Sequence, residues 1–389
     1  MNYFNIAADM KTETVDQYEE LNNRYPDSKI VETFGQISVD NIYGSGRPGD
    51  MMPKTDMAAL ERYVDYSRNK GLGFSYTLNA LCLSNREFTE EGLNGIGRFF
   101  EQLYEIGVSS LTLAIPALID FVKRAKYKFE IKASTLCDIT NANKALAYGE
   151  LGADRLVAHE SINRDFETLR DIREAFGATT EVIVNVICHK NCIFRPFHQI
   201  QGSHNTESGD ESPRYYSHKC MLRRAESIDN LLKLNWIRPE DLGYYTDIGI
   251  NHFKIQGRHT VIGGDPVRTA EAYMAQSYDG NLLDLLDMFN PSNSFSVYID
   301  NKALDGFVET YATHPGFCKN NCSKCGYCMS YAKKCIDEDK ANEIGELARR
   351  FYEEYDPFYA MVDRYASQTA LNSKTPDYVL SESGESQYV

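Results

Sequence analysis

Seven short β-rich runs recur along the chain with helical stretches between them, and this alternation limits the fold more than any other feature. The runs are KIVETFG (29–35), GFSYTLNA (73–80), SLTLAI (110–115), FEIKAST (129–135), DRLVAHE (154–160), EVIVNVICH (181–189) and HFKIQGR (252–258). Stretches such as NGIGRFFEQLYEIG and NANKALAYGELG carry apolar residues at helical spacing and close on a glycine. Strand, helix, strand in repeated order implies parallel strands joined by crossover helices. The seven runs, with an eighth strand expected in SFSVYIDN (294–301), predict an α/β chain folded as a (β/α)8, TIM-barrel-like domain. The alternative is a doubly wound open sheet, which ordinarily has fewer strands and a glycine-rich first turn. GSGRPG (44–49) lacks the GxGxxG spacing and reads as a loop.

The chain divides into a barrel over 1–300, a Cys-rich, cluster-binding segment and helix over 301–365, and a flexible tail over 366–389. A long insertion, 190–226, interrupts the barrel after the sixth run and carries Cys192 near its start and Cys220 near its end. Loops of this length are usually functional or disordered, and a metal ligand at each end predicts an ordered lid. Active sites of such barrels lie at the C-terminal ends of the strands. The residues there are polar: Arg47, Asn79, Ser134, Thr135, His159, Glu160, Cys188, His189, Gln256 and Arg258.

With 41 basic and 56 acidic residues the formal charge is −15, the opposite of a basic nucleic-acid footprint, so nucleic acid is not an expected partner. The N-terminal MNYFNIAADMKTETVDQ has no basic n-region followed by an apolar run, and no stretch is long and apolar enough to span a membrane. These features predict a cytoplasmic protein. A reducing compartment makes structural disulfides a poor explanation for ten cysteines and thiolate-bound metal a better one.

Eight of the ten fall in two groups: Cys188, Cys192 and Cys220, then Cys318, Cys322, Cys325, Cys328 and Cys335. Zinc sites often use two C-x2-C pairs a dozen or more residues apart, and Cys322-x2-Cys325-x2-Cys328 is denser than that. Overlapping C-x2-C steps are how one loop wraps an iron–sulfur cluster, so one or two [4Fe–4S] clusters are expected, with zinc the alternative. Cys318-x3-Cys322-x2-Cys325 also has the radical S-adenosylmethionine spacing, but it follows the last strand rather than the first. The first group is one thiolate short of four. Cys318, Cys137 or a substrate atom is the candidate to complete it, and His189 and His218 flank it.

The stretch FEIKASTLCDITNANKALAYGELGADRLVAHESINRDFETLRDI, then EVIVNVICHKNC and RPEDLGYYTDIGINHFKIQGR, resembles the collagenase-like peptidase family U32 over about residues 30–265. The resemblance implies a [4Fe–4S] cluster at Cys188, Cys192 and Cys220 and oxygen-independent hydroxylation of ubiquinone precursors, tRNA or ribosomal RNA. This sequence departs from the family pattern in four places. Gln256 stands where the family's Lys-Ile-Glu-Gly-Arg strand has glutamate, and the first cysteine pair is closer than usual. The family's later cysteine near that strand is absent, and the C-terminal five-cysteine segment is extra.

The functional expectation is an iron–sulfur oxidoreductase that modifies a small molecule or peptide, with a possible electron-donor protein as partner. Glu160 and His159 are the expected acid and base, with Arg258 beside them. Arg47 and Lys254, with Arg258, are expected to clamp an anionic ligand by charge-assisted bonds. A peptidase is one alternative, although no G-x-S-x-G or H-E-x-x-H motif is present. A non-catalytic iron–sulfur electron-transfer or scaffold protein is the other.

Overall fold

Eight parallel strands close into a barrel in the computed structural model, which describes residues 1–368 apart from 42, 48, 126, 178, 205–214, 292–294 and 355. The strands are β1 (Asn2–Ala7), β2 (Ser28–Gly35), β3 (Gly73–Leu78), β4 (Ser110–Leu113), β5 (Glu130–Ala133), β6 (Arg155–Val157), β7 (Thr179–Ile183) and β8 (His252–Ile255). Each pairs with its sequence neighbour, and β1 also pairs with β8, with Asn5 opposite Lys254. The open-sheet alternative is thereby excluded.

The eighth strand is not where the sequence suggested. Residues 295–299 form no strand, and Asp300 makes only an isolated bridge to Asn281. The missing strand is β1, six residues at the N-terminus with Phe4 and Ile6 fully buried. A strand flanked on both edges gets its stability from ladders and packing rather than from a long run of its own, so six residues suffice.

Crossover helices clothe the barrel: α1 (Thr12–Arg24), α2 (Met57–Asn69), α3 (Glu90–Glu105), α4 (Pro116–Arg124), α5 (Ala142–Leu151) and α6 (Phe166–Phe176). Their ends carry local signals. Asp56, Thr89, Asn141 and Asp165 accept backbone N–H bonds as N-caps of α2, α3, α5 and α6. Gly152 ends α5 at φ 119°, a left-handed conformation that a Cβ would disfavour. The outward strand residues Ile30, Leu111, Ile131, Leu156, Val182 and Phe253 are buried in the apolar layer between sheet and helices.

Between β7 and β8 lie α7 (Arg195–His204), α8 (Tyr215–Ala225), and the short α9 (Asp229–Leu232) and α10 (Leu242–Thr246). Of the expected lid, α7 and α8 are described; the middle of the insertion, 205–214, lies outside the described residues. After β8 come α11 (Pro266–Met274), α12 (Leu282–Leu286), α13 (Glu309–Thr313), α14 (Tyr327–Cys335), α15 (Glu338–Glu354) and α16 (Pro357–Gln368). Helix α14 packs on α9 and α15 on α8, which seats the Cys-rich segment against the insertion. Most of the expected tail, from 369 on, lies outside the described residues. Among the described residues no helix is long and apolar enough to cross a membrane.

Candidate active site at the barrel mouth

The barrel interior is polar where such barrels ordinarily stack Val, Ile and Leu. Strand alternation aims Glu32, Ser110, Lys132, Arg155 and Glu181 inward to one another. Lys132 Nζ lies 2.6 Å from Glu32 Oε1 and 2.9 Å from Glu181 Oε1. Arg155 bonds Glu32, Glu130 and Glu181, and Ser110 Oγ donates to Glu32 at 3.0 Å. Two cations face two fully buried carboxylates. Burial alone would raise the Glu181 pKa, but Lys132 and Arg155 overcome it and hold it well below the usual carboxylate range.

Above this layer, at the C-terminal ends of the strands, a cavity opens. It encloses about 720 Å³ of empty space, part of it open to solvent. Arg47, Asn79, Ser134, Thr135, Glu160, Cys188, Lys254, Gln256 and Arg258 all line it, so nearly every strand-end residue singled out in the sequence meets here. His159 and His189 are not in its lining. His159 Nδ1 accepts from the Ser161 N–H at 3.1 Å, and its Nε2 faces Asp138 Oδ1 at 3.4 Å. Burial, partly offset by Glu160, lowers its pKa and leaves the ring neutral near pH 7.

One carboxylate, Glu160, lines the cavity, and it is already engaged. Arg195 forks onto both its oxygens, Thr135 Oγ1 donates to it at 2.9 Å, and Arg195 also donates to Thr135 O at 3.3 Å. Burial pushes the Glu160 pKa up, but Arg195 and His159 outweigh it and bring it down to about 2. Arg195 opens α7, so this pair ties the lid to the barrel. Farther along α7, Ser203 Oγ accepts from the Leu81 N–H at 2.9 Å. Gly202 faces Gly46 so closely that a Cβ there would sit 3.2 Å from the Gly46 carbonyl.

The remaining cations have no carboxylate. Arg258 donates to Gln36, Ser45 and Asn79, all neutral, and burial with Arg47 nearby pulls its pKa down to about 9. Neither Arg47 nor Lys254 forms an ion pair or a side-chain hydrogen bond among the described residues. Lys254 Nζ instead sits 3.9 Å from the centre of the Phe34 ring.

The thiols occupy two neighbourhoods. Cys188 lines the cavity close to Cys220, Glu160, Arg195 and Arg47; burial pushes its pKa up to about 12. Cys318, Cys322 and Cys328 gather near Tyr311, with Cys328 Sγ 3.7 Å from Tyr311 Oη, while Cys322 and Cys325 are exposed. The two neighbourhoods touch: Lys190, midway between Cys188 and Cys192, donates to Cys318 Sγ at 3.7 Å. Cys335 stands apart, buried at the end of α14 beside Ala332 O, Asp300 and Arg238. Cys137 is also apart, buried against the carbonyls of Leu113 and Ala114. Among the described residues no three Cys, His, Asp or Glu side chains converge tightly enough to hold a metal ion. The donor chemistry nonetheless suits an iron–sulfur cluster: soft thiols beside guanidinium groups that favour thiolate, with the buried His189 ring close to Cys220.

Arg195 is the site residue that sequence reading missed. It lies in the insertion, 35 positions from its partner Glu160, and nothing local marks it.

A model of peptidase family U32 matches residues 29–275. An uncharacterized protease of Methanocaldococcus jannaschii is 33% identical over 301 residues, covering 77% of this chain and 87% of that protein. A 23S rRNA 5-hydroxycytidine synthase of Escherichia coli is 25% identical over 210 residues, 52% of this chain but only 30% of that protein. Among solved structures, a U32 peptidase superposes with a TM-score of 0.48 at 16% identity, covering 65% of this chain and 92% of that one.

Proposed function

The chain belongs to peptidase family U32, and from that premise we propose that it is an iron–sulfur redox enzyme that oxidatively modifies a small anionic molecule or peptide without O2 at the barrel mouth. One observation carries the reading. A cysteine thiol and the two guanidinium groups of Arg47 and Arg258, neither with a carboxylate partner, line the same cavity. Cys188, Cys192 and Cys220 are the proposed ligands, and the Lys190 contact supports Cys318 as the fourth. Cys322, Cys325, Cys328 and Cys335 remain for a second cluster that relays electrons from a donor protein; Cys335 would have to leave its buried position to join them. A cluster bound at the mouth supplies one-electron redox chemistry at a potential set by burial and hydrogen bonding.

The protein's own groups do the rest. Arg47 and Arg258 bind and orient the anion, and α7 covers the mouth and excludes water. Glu160 serves as a positioning residue that holds Arg195, because a carboxylate with a pKa of about 2 is too weak a base near neutral pH. His159 buttresses it from outside the cavity. The E. coli relative's name records oxidative modification of RNA, whereas the net charge of −15 favours a smaller substrate here. A cysteine-peptidase reading is disfavoured, since among the described residues no histidine lines the cavity beside Cys188 to serve as its base.

Anaerobic purification followed by iron and acid-labile sulfide assays tests this. The expectation is about four or about eight of each per chain, reduced by one cluster in Cys188→Ser with far-UV circular dichroism unchanged. Zinc without sulfide would overturn it.

A further inference from the structure

Lys254 is a cavity residue whose surroundings do not suit a permanent cation. Its side chain is 6% exposed on the cavity floor, its nitrogen rests on the Phe34 ring, and no acceptor reaches it among the described residues. The charged groups facing it come from four strands or strand ends, while the adjoining β1 places the uncharged Asn5 opposite it. The charged groups are Lys132 of β5, Glu32 of β2, Glu181 of β7, and Arg258 just after β8. Both carboxylates are already spent on Lys132 and Arg155. An amine desolvated in this way, with a second lysine and the Arg258 guanidinium nearby, gives up its proton more readily than a free lysine, and its neutral form is nucleophilic. Burial, with Lys132 beside it, brings its pKa down to about 7.

We propose that Lys254 is a covalent substrate-binding residue that forms an imine with an aldehyde or ketone that also carries an anionic group. The cavity supplies both halves of that recognition: a neutral amine on the floor and the unpaired guanidinium groups of Arg47 and Arg258 at the rim. The nitrogen lone pair attacks the carbonyl carbon and a C–N bond forms. The carbonyl oxygen takes up two protons, both ultimately from the amine, and leaves as water, giving a neutral imine with no oxidant or reductant consumed. Hydrolysis reverses the step. This site does not depend on the iron–sulfur reading, because it needs no metal.

The test is reductive trapping on the full chain, once with iron loaded and once after chelation. Pyruvate and glyoxylate serve as probes, sodium cyanoborohydride as reductant, and peptide mass mapping as the readout. The expected result is a reduced adduct on Lys254 at least tenfold above that on the exposed Lys144, in both preparations. Its initial rate should rise with pH through about 7. The adduct should vanish in Lys254→Arg, which keeps a cation but cannot form the imine. Wild-type mapping alone decides the matter if that variant fails to fold. Labelling of Lys254 no greater than that of Lys144 would overturn the proposal. So would pyruvate protection of Arg258 from phenylglyoxal without any Lys254 adduct, which would make Lys254 only a counter-charge. Either failure leaves the iron and sulfide counts untouched.

Discussion

The two polar layers inside the barrel differ in how their charges are settled. In the deep layer Lys132 and Arg155 meet Glu32 and Glu181, and the sum is neutral. At the mouth, beyond the C-terminal ends of the strands, one carboxylate faces Arg47, Arg195, Arg258 and Lys254, and Arg195 already occupies it. Burying unpaired cations is costly, so the mouth gives up stability where the deep layer does not. A protein keeps such a cost where a ligand of opposite charge removes it. Gln256 sharpens the contrast, for it places a neutral amide, not a carboxylate, on the cavity wall.

The largest effect should come from disturbing the settled layer. Glu181→Gln leaves Lys132 and Arg155 short of a partner and should cost about 3–5 kcal/mol in urea denaturation. An unchanged midpoint would mean that the deep charges are not coupled as described.

At the mouth the sign should reverse. The folded pKa of Lys254, about 7, lies below its ordinary 10.5. Between those values the unfolded chain binds more protons, so the lysine's penalty is full below pH 7 and fades as pH rises toward 10.5. Lys254→Met should therefore stabilise the protein by about 3–4 kcal/mol at pH 6, with the gain shrinking on the alkaline side. A destabilised Lys254→Met would erase the distinction between the layers.

Smaller effects should appear in ligand binding. Arg258→Met should weaken malonate binding by isothermal titration roughly 10–100-fold, the worth of one or two charged hydrogen bonds, while the fold persists. Gln256→Glu, which adds the missing carboxylate, should weaken it roughly tenfold, about 1.4 kcal/mol. Last comes Lys144→Ala, which breaks an exposed pair with Asp138. It should move stability by less than about 0.5 kcal/mol.

Much of this layout was readable before the structure. Seven of eight strands and the closing glycine of α5 followed from periodicity and turn chemistry. The mouth residues followed from strand ends. β1 escaped because Asn2 and Asn5 interrupt its Tyr3, Phe4 and Ile6 and because a six-residue strand draws its stability from two neighbouring strands. The deep layer left a signal that was passed over: charged residues at Glu32, Lys132, Arg155 and Glu181 inside runs that would otherwise be apolar in a buried parallel sheet. Cysteine spacing identified soft ligands but carries no burial, so it could not separate Cys335, enclosed at the end of α14, from the exposed Cys322 and Cys325. The Arg195–Glu160 tie depends on how the insertion folds back, which local sequence does not encode.

A cluster at Cys188 and an anion at Arg47 and Arg258 are proposed to share one cavity. Electron paramagnetic resonance of the anaerobically reduced protein, titrated with malonate, tests it most directly. The cluster signal should shift as malonate binds and should no longer shift in Arg258→Met. A cluster signal indifferent to saturating malonate in the wild type would contradict it.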